Sequence, residues 1–168
     1  MKKLLLLLPV VLVLLSTSTA FASGKPERIP APLPQPLVTS GSCTFDVDVK
    51  VVKNNEYFIN FYDANGNLVR QLVGGSLVVT LTNLSNGHAI TVNISGPGYA
   101  TFNADGSYVQ RYEGSAAIPL PGRFLLTNGR VDVEYFPNAD PVVLRMSGAQ
   151  RDACALLLRP RQYAVAAI

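Results

Sequence analysis

The sequence predicts an all-β protein: an antiparallel meander of about nine or ten short strands forming a two-sheet sandwich, closed by a short C-terminal helical turn. Three observations carry this. Apolar residues recur with period two from Thr44 onward, as in strands with one buried face. Asn-Gly and Asp-Gly pairs punctuate the runs, and these tolerate the positive φ of tight hairpin turns. Two cysteines, Cys43 and Cys154, bracket the whole series. A flattened up-and-down barrel is the alternative architecture, since sequence does not say whether the first and last strands pair.

The elements follow in order. In 44–52, Phe45, Val47, Val49 and Val51 share one face, while Asp46, Asp48 and Lys50 share the other. Residues 56–62 align Tyr57, Ile59 and Phe61, and 68–73 follows. Residues 77–83 align Leu77, Val79 and Leu81; 88–94 align Ile90, Val92 and Ile94. Strands are expected at 99–102, 107–112, 124–127, 130–136 and 142–146. Turns are expected at Asn65-Gly66, Asn86-Gly87, Asp105-Gly106, Asn128-Gly129 and 137–141, with Gly74-Gly75 a further turn or bulge. Connections this short cannot carry parallel crossovers, which need a dozen residues or more. Residues 149–158 fit one or two helical turns ended by Pro160. The motif at 62–69 resembles that at 102–109, and 136–142 echoes both; shared turn chemistry explains the recurrence.

Upstream, Lys2 and Lys3 precede an apolar run over 4–15, and Ala20-Phe21-Ala22 has the pattern of a signal-peptidase site. The run is shorter than the ~20 residues that span a bilayer. The expected organisation is a signal peptide at 1–22, a Pro-rich tether at 23–42, a β domain at 43–157 and a tail at 158–168. Prolines at 26, 30, 32, 34 and 36 favour an extended polyproline path for the tether. Secretion to the extracellular side is the expected localisation, with no membrane span after cleavage. There, a lone cysteine pair forms a bridge, so Cys43–Cys154 is expected as a structural disulfide.

Charge narrows the function. The chain carries +3, of which Lys2 and Lys3 contribute two. Between the cysteines, eight Lys and Arg stand against ten Asp and Glu. No clustered basic footprint is present, so nucleic acid is not an expected partner.

Catalytic constellations are sparse. His88 is the only histidine and follows a turn, where a polar flank is the simpler account; G-x-S-x-G is absent. Asp46 with Asp48, and Asp132 with Glu134, are carboxylate pairs; glycoside hydrolysis requires two carboxyls facing across a cleft of ~5–10 Å. Asp63, Asn65 and Asn67 have calcium-loop spacing, but Gly74 occupies the position that needs a bidentate Glu. No metal or cofactor is expected. Asn83 and Asn93 begin N-x-S sequons. Tyr108, Gln110 and Tyr112 share a strand face and form the candidate ligand-binding surface, a partly wet aromatic face suited to a cell-surface protein or glycan.

The leader, the Pro-rich segment, the motifs NISGPG at 93–98, FNADGS at 102–107 and TNGRV at 127–131, and the flanking cysteines together resemble small secreted bacterial proteins of unassigned activity. That resemblance implies secretion and β structure and brings no active-site residues. The expected function is a non-catalytic binding or interaction module. The alternatives are a structural envelope-associated protein, a hydrolase built on the carboxylate pairs, and a carrier holding a small apolar ligand. A large internal apolar cavity would favour the carrier.

Overall fold

The structure, a computed structural model, describes residues 26–158. The eleven strands are β1 (Ile29–Pro30), β2 (Val38–Thr39), β3 (Val47–Asn54), β4 (Tyr57–Tyr62), β5 (Leu68–Gly74), β6 (Leu77–Asn83), β7 (Ala89–Asn93), β8 (Gly98–Phe102), β9 (Tyr108–Leu120), β10 (Arg123–Phe136) and β11 (Ala139–Asp152), followed by helix α1 (Ala153–Leu158). They form two antiparallel sheets. The larger has the order β1-β4-β5-β8-β9-β10-β11 and the smaller β2-β3-β6-β7. The sandwich is therefore the architecture, and neither sheet closes into a barrel. The signal-peptide reading of 1–22 and the end of the tail, from 159, lie outside the described residues.

The period-two runs become strands because each has one face to bury. Val47 and Val49 on β3 and Leu77, Val79 and Leu81 on β6 are buried. They form one cluster with Phe124 of the large sheet and Ala153 and Leu157 of α1. The chain crosses between sheets at 55–56, 75–76 and 94–97. Two of these crossings touch: Asn55 N–H donates to Ser76 O at 2.8 Å. A Cβ on Gly75 would lie 2.3 Å from Asn55 O, so only glycine admits that approach.

The largest departure from the sequence reading is at Asn128-Gly129. No turn occurs there. Residues 124–127 and 130–136 belong to the single strand β10, and the hairpin that joins it to β9 turns at Pro121-Gly122. Gly129 instead pairs with Gly114 on one side and Gly148 on the other. Gly114 and Gly148 have φ of 79° and 89°, so the three-stranded ladder breaks its extended path along a line of glycines. A Cβ on Gly129 would sit 2.2 Å from Ser147 O. Across this line the faces are reassigned. Before it, Gln110 and Tyr112 face the small sheet; beyond it, Ala117, Phe124 and Leu126 do. Ile118, Leu120 and Leu125 turn into a second cluster with Val131 and Val133. Helix α1 is also shorter than expected, because 149–152 continue β11.

The turns at 63–67 and 103–107 are the same device. In each, the first residue's N–H donates to the fifth residue's carbonyl, and the glycine N–H donates back to the first carbonyl. Asp63 accepts from the N–H groups of Asn65 and Asn67, and Asp105 from Ser107. The weak repeat is thus turn chemistry in two hairpins.

Cys43 and Cys154 are disulfide-bonded, with Cα atoms 5.5 Å apart across 111 residues of chain. The bond ties the approach to the small sheet to α1, which follows the last strand of the large one.

Candidate functional site

The proline-rich segment is not a free spacer over its described length. On either side of a bend at the cis Gln35-Pro36 bond its backbone is extended, and extended chain is what a sheet edge accepts. Ile29 and Pro30 pair with Phe58 and Tyr57 at the edge of the large sheet; Val38 and Thr39 pair with Asp48 and Val47 at the edge of the small one. Between them, Ala31 is buried, and Leu33 and Leu37 pack on the core. Arg28 stacks over the Tyr57 ring at 4.3 Å. Asn54 Nδ2 donates to Ala31 O, and Val49 N–H to Leu37 O. The segment is a strap bridging the open side of the sandwich.

Beneath the strap lies a cavity of about 340 Å³ between the sheets. Leu33 and Leu37 line it from the strap, Val49, Leu77, Val79 and Leu81 from the small sheet, and Val73 and Phe124 from the large one. It exists because the opposing wall lacks side-chain volume: Gly96, Gly98, Ala116 and Ala117 stand where larger residues would fill the gap. Gly96 cannot easily be otherwise, since a Cβ there would lie 2.3 Å from Glu113 O.

Few polar groups reach this space. Thr39 Oγ1 is buried and has no hydrogen-bond partner among the described residues. Glu56 is half-buried, and burial pushes its carboxyl above the usual range. Among the described residues its carboxylate has no ion pair. Gln110 and Tyr112 complete the lining.

The sequence-selected trio is therefore divided. Tyr108, Gln110 and Tyr112 share a face, but that face is the inner one. Tyr108 stacks on Tyr135 with ring centroids 5.0 Å apart and tilts against Phe102; it does not line the cavity. Tyr112 Oη lies 3.0 Å from Tyr135 Oη. Burial, then the neighbouring Tyr135, holds the Tyr112 phenol well above its ordinary value. A wet aromatic platform is not what these rings form. Thr39, Glu56 and the strap leucines were not selected from sequence. The alternation of proline with Ala31, Leu33, Gln35 and Leu37 was the available signal.

The other candidates are dispersed. Asp48 lies on the strand face opposite Val47 and Val49, and Asp132 and Glu134 on the face opposite Val131 and Val133. The pairs thus occupy opposite outer faces and cannot flank one scissile bond. Arg130 holds Asp132 at 2.6 Å, and its hydrogen bonds draw that carboxyl below the usual range. Asp63 spends its carboxylate on its own turn, which keeps its pKa low. His88 contributes its backbone to the 83–88 turn. Asn83 is fully buried, with Nδ2 donating to Leu157 O at the end of α1 and Oδ1 accepting from Ser85. No group of three metal-capable side chains occurs, and no helix is long and apolar enough to cross a membrane, among the described residues.

Comparison with protein-family models, with curated proteins and with solved structures finds no match for this chain.

Proposed function

We propose that the chain is an exported, non-catalytic binding domain that carries a small, largely apolar molecule with one hydrogen-bonding head in the cavity between its sheets. The single observation that supports this most is the cavity itself. Its volume and apolar lining with few polar groups are those of small-molecule sites, which run to ~300–1,000 Å³. A polar head on the ligand answers one of two groups that otherwise lack partners, the Thr39 hydroxyl and the Glu56 carboxyl, which lie at opposite ends of β3. A half-buried carboxyl without a counter-ion opposes folding when ionised, and such groups concentrate at functional sites. The strap supplies a wall that strands alone would not. Export accords with the leader-like start of the sequence and with the disulfide, which persists in oxidising compartments.

The test is a titration with N-phenyl-1-naphthylamine, a neutral fluorophore that brightens in apolar surroundings and carries one N–H donor. One saturable site is expected, and Ala117→Leu, which fills the cavity from its thin wall, should abolish it while the variant unfolds as cooperatively as the parent. Unaltered binding in a folded Ala117→Leu variant, or no saturable binding to the parent, counts against the carrier.

A further inference from the structure

The outer face of the large sheet carries a groove lined by charged and polar side chains, separate from the cavity. On β8, Tyr99 and Thr101 are successive residues of one face. Thr101 is opposite Arg70 on β5 and Val109 on β9, and Tyr99 is opposite Arg111. Arg70 and Arg111 thus stand on the two strands flanking β8, ~9–10 Å apart across the sheet and one side-chain repeat apart along it. The short side chains of Thr101 and Val109 form a floor, and Arg70, Tyr99 and Arg111 form walls around a groove of about 260 Å³.

Among the described residues, neither arginine of this groove has a carboxylate to itself. Arg70 has its guanidinium carbon 5.3 Å from the Tyr99 ring centroid and 5.6 Å from that of Phe61. Ring contacts of this kind leave the N–H donors at the guanidinium edge available. Among the described residues Arg70 has no carboxylate within ion-pair distance. Arg111 is positioned rather than neutralised. Its Nε donates to Asp132 Oδ1 at 3.3 Å, but Asp132 is already gripped by Arg130 through both carboxylate oxygens. One carboxylate is shared by two guanidinium groups. Glu134, opposite Val109, and Glu113, opposite Arg130, are the other carboxylates on this face of β9 and β10, and neither makes an ion pair there.

We infer that this groove binds a tetrahedral oxyanion, a sulfate or phosphate group, held between Arg70 and Arg111 with the Tyr99 and Thr101 hydroxyls beside it. One arginine fork satisfies a planar carboxylate; two forks and two hydroxyls suit an anion with more acceptor oxygens. The group comes either as the free ion or as an ester on a saccharide.

The experiment is a titration of the full mature chain, followed by amide NMR at low salt, with inorganic sulfate, inorganic phosphate, glucose 6-sulfate and glucuronate. Saturable shifts centred on Thr101, Val109 and Arg111 are expected with the tetrahedral anions, with glucuronate at least tenfold weaker. A tighter constant for glucose 6-sulfate than for inorganic sulfate identifies a saccharide ester as the source; equal constants identify the free ion. Arg70→Gln, an exposed substitution, should weaken binding at least tenfold without altering the thermal transition. Arg145→Gln removes one positive charge from the same face outside the groove and should leave binding unchanged. Equal losses in both variants, glucuronate binding as tightly as sulfate, or shifts that never saturate would overturn the inference.

Discussion

Opening the Cys43–Cys154 bond should cost as much stability as truncating a large core side chain. The bond closes 111 residues of chain. Loop-closure entropy for a loop of this size corresponds to ~4–5 kcal/mol, subtracted from the unfolded state when the bond is intact. The bond also holds α1, whose Ala153 and Leu157 are buried in the main cluster, so some packing is lost with it. With a urea dependence of ~2 kcal/mol per molar for a domain of this size, the midpoint should fall by ~2 M. The assay is urea unfolding of the oxidised protein beside the same protein reduced and alkylated, with Cys43→Ser/Cys154→Ser as the substitution control. A midpoint lowered by under ~0.5 M in both would refute the staple, as would two alkylatable thiols in protein produced in an oxidising compartment and kept unreduced.

Three further outcomes follow from particular contacts. Gly96→Ala places a methyl group against the Glu113 and Ser115 carbonyls, and overpacking of this kind costs ~1–3 kcal/mol; Gly98→Ala, whose methyl first meets the movable end of the Gln110 side chain at 2.9 Å, should cost less in the same denaturation assay, where equal losses would contradict the close-approach argument. Asn83→Ala removes the buried amide that meets Leu157 O and Ser85 and should cost ~1–3 kcal/mol; in a glycosylating host, mass spectrometry should find no glycan on Asn83. Stability should also respond to pH with opposite signs at two carboxyls. Asp132, held low by Arg130, contributes stability above its ordinary value of 3.8, lost as pH falls through the lower folded value; Glu56, raised by burial, contributes fully below its ordinary 4.5 and loses that contribution as pH rises through the folded value. Asp132→Asn should therefore flatten the acid limb of the stability profile, and Glu56→Gln should raise stability at neutral pH; a Glu56→Gln variant less stable at pH 7 would contradict the unpaired carboxyl.

Much of the sandwich was legible because a strand with one buried face advertises itself. β6 begins and ends where the alternation of Leu77, Val79 and Leu81 places it, and β4, β5, β7 and β8 differ by one residue at one or both ends. What failed failed for local reasons. Asn128-Gly129 has the composition of a hairpin turn, but glycine serves equally for close approach of neighbouring backbones, and only pairing with Gly114 and Gly148 separates the two uses. Pro121-Gly122, the true turn, was passed over because the strand before it contains Pro119 and runs of small residues, which blur the alternation. The site was half legible. Period two puts Tyr108, Gln110 and Tyr112 together but cannot say which face is covered, and the covering comes from a second sheet and from β10. The strap was hidden by its own composition: spaced prolines describe an extended chain whether it is free or docked, and Leu33 and Leu37 reveal the docking only once there is a cavity to cover.

The carrier reading is tested most directly by locating an apolar ligand on the protein. Methyl NMR of the protein, titrated with N-phenyl-1-naphthylamine, distinguishes the cavity from the exposed apolar edge of β11, where Val142, Leu144 and Met146 face solvent. Saturable shifts at Leu33, Leu37, Leu77, Leu81 and Ile94, with Val142, Leu144 and Met146 unmoved, are the predicted result. Shifts confined to Val142, Leu144 and Met146, with the cavity methyls silent, would contradict it.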